Sequence, residues 1–259
     1  MYKLTLSDYS KVCPLFPDVH LTFMMEAMAA GNSPAQIWVD DVDVPRAAFV
    51  WDGTHSVYLA GDGDFAAVLA SITLPPPITK VYSAHDTAYI ARLFPACEIF
   101  QRERVLFRLT QPPPADWRTH LPSGFDVRLI DRDLLNQGLP NTDRVLEEIE
   151  SCWTELDRFF AQGFGFCVVA KEIAAWCTAE YVSGKQCGIG IETVEAYQRR
   201  GLATLAASAF LEHCLTQGIT AHWDAWASNL PSVATAHKIG LQQVTAYSIH
   251  IARPLATTG

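Results

Sequence analysis

Gln198, Arg199, Arg200, Gly201, Leu202 and Ala203 spell Gln-Arg-Arg-Gly-Leu-Ala, and their types and spacing suit one kind of chemistry, the holding of an anion. The string lies between an alternating apolar run that ends at Thr193 and an Ala- and Leu-rich run from Leu202 to Thr216, so it marks a strand-to-helix turn. At such a turn the first backbone N–H groups of the helix have no partner within it and point outward beside the positive end of its dipole. Gly201 lets the backbone approach a phosphate closely, and Ala203 keeps the next turn free of bulk. Gln198, Arg199 and Arg200 add side-chain donors and charge. Taken alone, the same string also describes a basic, Gly-punctuated surface loop.

The next forty or so residues supply a strand pattern, Thr220 to Trp226, then Asn229 and Ser232 at a helix start, then Ala236-His237-Lys238-Ile239-Gly240-Leu241. This ordered series resembles the GNAT superfamily of acyl-CoA-dependent N-acetyltransferases, in which a Gln/Arg-x-x-Gly-x-Gly/Ala loop binds the pyrophosphate of coenzyme A. The Asn…Ser…Ala-x-Lys-x-Gly-Leu segment is most similar to the zwittermicin A resistance-type subgroup. The resemblance covers about Gly163 to Ile251. It implies acetyl-CoA as acyl donor, a small-molecule amine as acceptor, direct attack in a ternary complex, and no metal.

The resemblance also implies site residues. Gln198 to Ala203 would anchor the pyrophosphate, and the strand end carrying Ile191 and Thr193 would pair with the pantetheine arm and offer a backbone N–H to the thioester oxygen. Asn229 would hold a pantetheine amide with Ser232 one helical turn on; the alternative for both is simple helix capping. An amine nucleophile must lose a proton. The family often keeps a Glu early in the fourth strand, where this chain has Cys187 and Gly188. The remaining acidic candidates are Glu180, which we favour as base, Glu192 and Asp224. A Tyr that serves the family as acid is replaced by Ala236, with His237 beside it. The competing class is a non-catalytic acyl-CoA-binding or regulatory module that has lost its base and acid.

Other chemistries find less support. Gly188-Ile189-Gly190 lies within a strand and Thr193 stands where a Rossmann loop needs its third glycine, so these glycines are expected to admit a close neighbour. No Gly-x-Ser-x-Gly elbow is present. The seven cysteines form no CxxC pair, which argues against a disulfide framework or a zinc site. A formal net charge of −9 speaks against nucleic acid and favours a cationic acceptor. No run of 18 apolar residues and no leader pattern occurs. We expect a cytoplasmic protein with no membrane partner; the sequence does not mark its oligomeric state.

The elements that must position these residues follow from periodicity. At 49% hydrophobic, 259 residues suffice for one large or two ordinary domains. Leu6 to Ala30 reads as helical with a stop at Gly31-Asn32, and Gln36–Asp40, Arg46–Trp51 and Ser56–Gly61 as a small meander. Helix, strand, helix and strand follow over Asp64–Ile72, Ile78–Tyr82, Thr87–Phe94 and Glu98–Leu109, with a break at Pro75–Pro77. Gly61-Asp62-Gly63-Asp64 places two acids where a phosphate would sit, so this half lacks a phosphate loop. The prolines of Gln111–Pro114 mark a boundary. We expect an α/β domain over 1–110, possibly a degenerate GNAT-like half, a proline-rich linker over 111–120 and a GNAT-like domain over 121–259.

In that second domain a strand is expected over Gly124–Ile130, one helix or two over Asn141–Phe160, and strands over Phe164–Ala170, Ile173–Val182 and Gln186–Thr193 joined by short antiparallel turns. A helix over Leu202–Gln217, a strand over Thr220–Trp226, a helix over Pro231–Ile239 and a strand over Gln243–Ile251 complete it. The expected fold class is α/β (α+β), a mixed, mostly antiparallel sheet flanked by helices.

Overall fold

The computed structural model describes residues 1–75, 78–109, 112 and 116–255. Most of the proline break at Gln111–Pro114, and Pro76 and Pro77 of the earlier one, lie outside the described residues. The chain divides into two compact units, Met1–Arg104 with Ala246–Gly259, and Val105–Thr245.

In the first unit β1 (Tyr2–Lys3) leads into a 3₁₀ helix (Leu6–Leu15) and α1 (Val19–Ala29). The sequence reads as one helical stretch here, but Pro14 and Pro17 interrupt it: a proline lacks the N–H that a continuous α-helix requires. Then come β2 (Gln36–Val39), β3 (Ala48–Trp51), β4 (Ser56–Ala60), α2 (Phe65–Leu69), β5 (Thr79–Ser83), α3 (Thr87–Leu93) and β6 (Cys97–Leu109). Asp64 and Asp86 start α2 and α3 by accepting the N–H groups of Ala67 and Tyr89. β2, β3 and β4 form the expected antiparallel meander, whereas β4 and β5 run parallel, as a crossover through a helix requires.

The second unit takes Val105–Leu109 of β6, a 3₁₀ turn (Trp117–His120), β7 (Asp126–Leu129), α4 (Arg132–Leu135), α5 (Thr142–Cys152), α6 (Leu156–Gln162), β8 (Gly165–Val169), β9 (Ile173–Ser183) and β10 (Gln186–Thr193). After a 3₁₀ turn (Glu195–Tyr197) come α7 (Leu202–Gln217), β11 (Thr220–Trp226) and α8 (Leu230–Lys238), and β12 (Leu241–Pro254) begins within this unit. Its strand order is β6-β11-β10-β9-β8-β7, antiparallel from β7 through β10 and parallel between β10 and β11. This is the mixed, mostly antiparallel GNAT sheet.

Two opposite faces of that sheet matter for the site. Cys187 of β10 and Cys214 of α7 are in hydrogen-bond contact, so Cys187 marks the α7 face, where Leu205, Phe210 and Leu211 are buried. Each such side chain removed from water contributes about 1.5–3 kcal/mol. Side chains alternate along a strand, so Trp176, Thr178 and Glu180 of β9 and Gly188, Gly190 and Glu192 of β10 turn to the other face. There they form the cross-strand pairs Glu180–Gly188, Thr178–Gly190 and Trp176–Glu192. α5 packs over this second face on β9. Trp153 and Phe159 are core residues of this unit, with Phe160 packed against them.

Candidate functional site

The parallel ladder between β10 and β11 joins Gln186–Gly188 to Thr220–His222 and ends there, although both strands continue, to Thr193 and Trp226. Val194 N–H donates to Ala174 O on β9. Alternate residues of an antiparallel strand face alternate edges, so the N–H groups of Ile191 and Thr193 point the other way, into the opening beside β11. The Thr193 hydroxyl is buried and has no partner among the described residues.

At the mouth of this opening lies the start of α7. Its first residue is preceded by Gly201 at φ +79°, and no side chain among the described residues caps it. Arg199 is also left-handed, at φ +58°. Left-handed residues thus flank Arg200, and a turn with left-handed residues is the kind in which successive backbone N–H groups can gather around phosphate oxygens. A Cβ at Gly201 would meet nothing within 4 Å among the described residues, which leave the space above it open. Tyr197 fixes the approach to this turn by donating its hydroxyl to Glu172 at 2.7 Å, and Gln198 Nε2 reaches back to Thr193 O at 3.4 Å.

A cleft of about 710 Å³ connects the two features. Its walls include Ile191, Thr193, Gln198, Arg199, Gly201, Leu202, Ala203, Asn229 and Ser232, all expected from the sequence to contact the cofactor. Arg200 lies elsewhere. Its guanidinium stacks over Phe125 and Tyr197, 5.0 and 5.2 Å from the ring centroids, and it lines a smaller cavity with His120, Gly201 and Lys238. Asn229 and Ser232 have local partners as well: Asn229 caps α8 by accepting Ser232 N–H at 3.3 Å, and Trp223 Nε1 donates to Ser232 Oγ at 3.1 Å. Capping and cleft lining therefore coexist at these positions.

Glu180, favoured from sequence as the base, is not a wall of the cleft. It faces α5, hydrogen-bonded to Glu148 of that helix. Burial pushes the Glu148 carboxyl above its ordinary pKa, the bond to Glu180 opposes this, and the charge of Glu192 adds to the rise. Glu192 lines the cleft and is ion-paired to Arg144, which is also a cleft residue and lies one turn before Glu148 on α5. Asp224 is half-buried on β11, and His237, at the end of α8, is exposed with its ring edge-on to Phe107 at 5.1 Å. Next to Gly188 on β11, His222 accepts from Arg108 Nε at Nδ1 and contacts Gln186 Oε1 through Nε2. Burial, then Arg108, depress its pKa to about 4, so it is neutral.

Arg144, Glu148 and Trp223 are the parts of this region that sequence reasoning missed. The i, i+4 spacing of Arg144 and Glu148 on an amphipathic helix was a visible signal, but charges on a helix face usually point to solvent. Only the packing of α5 on β9 turns them inward.

Comparison with known proteins is consistent with this geometry. The chain is 25% identical over 259 residues to the uncharacterized N-acetyltransferase YdfB of Bacillus subtilis, covering 96% of this chain and 98% of that one. A GCN5-related N-acetyltransferase-like protein from Streptococcus suis shares the fold at a TM-score of 0.72 and 21% identity, over 95% of this chain and 99% of its own. A tandem GNAT protein from the clavulanic acid biosynthesis pathway superposes at a TM-score of 0.59 and 14% identity, over 97% of each chain. The family described as GNAT acetyltransferase matches residues 13–250, and this chain belongs to it: it is an N-acetyltransferase of the GNAT family.

Proposed function

We propose that the Val105–Thr245 unit transfers an acetyl group from acetyl-CoA to the amine of a small molecule by direct attack. The observation that carries this reading is the parting of β10 from β11 beyond Gly188, beside an uncapped and unobstructed α7 start. The backbone around Arg199 and Gly201, with Gln198, Leu202 and Ala203, holds the pyrophosphate. Arg200 contributes charge from the far side of Gly201. The free edge at Ile191 and Thr193 pairs with the pantetheine arm as an added strand would, and one of its N–H groups polarises the thioester carbonyl. Asn229 and Ser232 border the arm on the α8 side.

Glu180, together with its partner Glu148, takes the proton from the amine. Proximity and a preorganised oxyanion donor supply most of the rate enhancement, as they do where no covalent enzyme intermediate forms. No metal is assigned to the reaction. The Asn229…Ala236-x-Lys238-x-Gly240-Leu241 segment supports membership of the zwittermicin A resistance-type subgroup. The tandem relative supports regarding the first unit as a degenerate second copy of the fold. The net charge of −9 favours a cationic acceptor over nucleic acid. Seven free cysteines suit a reducing compartment, and we place the reaction in the cytoplasm.

The second reading, an acyl-CoA-binding module without turnover, draws on Ala236, which is buried where the family carries an acid. Release of free thiol from acetyl-CoA over a panel of amines separates the two. Amine-dependent release is the expected result; tight coenzyme A binding without release by any amine would favour the module.

A further inference from the structure

Arg200 leaves the main cleft for a second cavity, of about 220 Å³. Its walls include His120 of the 3₁₀ turn, Arg200, Thr204 and Ser208 of α7, and Lys238, the last residue of α8. Gly201 and Thr204 belong to both cavities. Gly201, Thr204 and Ser208 follow one another at i, i+3 and i+7, a spacing that shares one face of a helix. The smaller cavity therefore runs along α7 from the same helix start that opens into the cleft.

In a chain of net charge −9, this cavity gathers a guanidinium, an ammonium and an imidazole. Arg200 is held in place by its stacking on Phe125 and Tyr197, and neither it nor Lys238 is paired with a carboxylate among the described residues. His120 has one acidic neighbour, Asp116, whose Oδ2 lies 3.9 Å from Nε2 in an exposed pair that solvent screens. Ser208 is 1% exposed, and its hydroxyl has no hydrogen-bond partner among the described residues. A buried hydroxyl without a partner costs free energy that a ligand bonded to it offsets.

We propose that this cavity binds a phosphate monoester, with Arg200 and Lys238 meeting its charge and the His120 ring and the Ser208 hydroxyl completing the bonds to its oxygens. A phosphate monoester carries a charge of about −1.5 to −2 at pH 7 and three strong acceptor oxygens. Guanidinium and ammonium groups have donors and no acceptor, so the two cations match it in charge and in hydrogen-bond sense. Two sources share this chemistry, the 3′-phosphate of coenzyme A and free phosphate. The first is the nearer, because the 3′-phosphate sits on the same ribose that carries the pyrophosphate, and the two cavities meet at Gly201 and Thr204. The proposal rests on the acyltransferase reading for that source, but not for phosphate binding itself. Its consequence is selectivity: dephospho-coenzyme A, which lacks only the 3′-phosphate, would occupy the cleft alone.

Calorimetry on the full chain at constant ionic strength tests the source. Coenzyme A should bind about tenfold or more tightly than dephospho-coenzyme A, the scale of a charge-assisted bond. Lys238 is exposed, so Lys238→Met is expected to fold; it should bring the two affinities together by weakening coenzyme A alone, and Lys238→Arg should keep them apart. NMR tests the site. With dephospho-coenzyme A saturating the cleft, inorganic phosphate should shift the backbone amide resonances of His120 and Ser208, and this response should vanish in Lys238→Met or when coenzyme A replaces dephospho-coenzyme A. Phosphate shifts that persist with coenzyme A bound, together with equal affinities for the two cofactors, would keep the site and make free phosphate its source. Equal affinities without any phosphate shift, or a preference for coenzyme A that Lys238→Met leaves intact, would overturn the site. Phosphate shifts at His120 and Ser208 in a protein that binds neither cofactor would leave the site standing and remove the acyltransferase reading instead.

Discussion

Gly201 combines a left-handed backbone, at φ +79°, with open space above it. An L side chain in that conformation costs about 1–2 kcal/mol, tolerable for a domain of this size. A glutamate at this position would also put a carboxylate beside the N–H groups meant for phosphate, and the repulsion acts on the ligand alone. Gly201→Glu is therefore expected to fold and to bind coenzyme A more than tenfold more weakly, as calorimetry would read; unchanged affinity in a folded variant would refute the phosphate-site assignment. This residue was legible in the sequence because the loop's conformation is local, set by Gly201 and by the helix that follows. Glu148 was not legible. Its environment depends on α5 lying over β9, and the i, i+4 spacing with Arg144, though visible, does not say which way that helix face turns. Arg200 shows a similar limit from the other side: its type suited an anion, but Phe125 and Tyr197, far away and near in sequence respectively, draw it out of the cleft.

Elements whose boundaries follow from local chemistry matched their sequence patterns closely. β11 spans Thr220–Trp226 as expected, and α7 spans Leu202–Gln217 and ends at Gly218, whose φ of +64° stops the helix. Short turns made β8, β9 and β10 antiparallel neighbours, a consequence of geometry more than of composition. The four-residue helix α4, capped by Asp131, left too short a period to be noticed. The parting of β10 from β11 is not read from periodicity, because it is defined by hydrogen bonds that do not form; only the family resemblance implied a free strand end at Ile191 and Thr193. That gap can be tested through the backbone. The Ile191 N–H faces the opening and is not used in the ladder to β9, and a proline is tolerated in a strand where its missing N–H faces away from the ladder. Ile191→Pro should thus keep the fold while removing one donor to the pantetheine arm or the carbonyl oxygen. We expect kcat/KM to fall ten- to a hundredfold with an unchanged far-ultraviolet spectrum; an active variant would move the oxyanion donor to Thr193 alone.

At the scale of the whole molecule, the compact units do not follow the chain in simple succession. The second unit starts at Val105, within β6, and the last residues of β12 belong to the first. Val105 and Phe107 are buried in the core that also holds Trp176, Phe159 and Phe210. A fragment starting at Pro114 would lack both, and losing a buried aromatic or aliphatic side chain costs about 1–5 kcal/mol each. Removal of the strand also strips β11 of a neighbour and leaves its backbone edge unpaired. Set against a total stability of about 5–15 kcal/mol, these losses are enough to unfold the unit. The fragment 114–259 is accordingly expected to be insoluble or to lack a cooperative thermal transition, even though it contains every residue assigned to the cleft. The intact chain should bind one coenzyme A, since the first unit's corresponding turn presents Asp62 and Asp64 and Asp64 is already committed to capping α2. A stoichiometry of two would place a second phosphate site in that unit, and a soluble, coenzyme A-binding fragment from Pro114 would show that β6 is dispensable to the catalytic half.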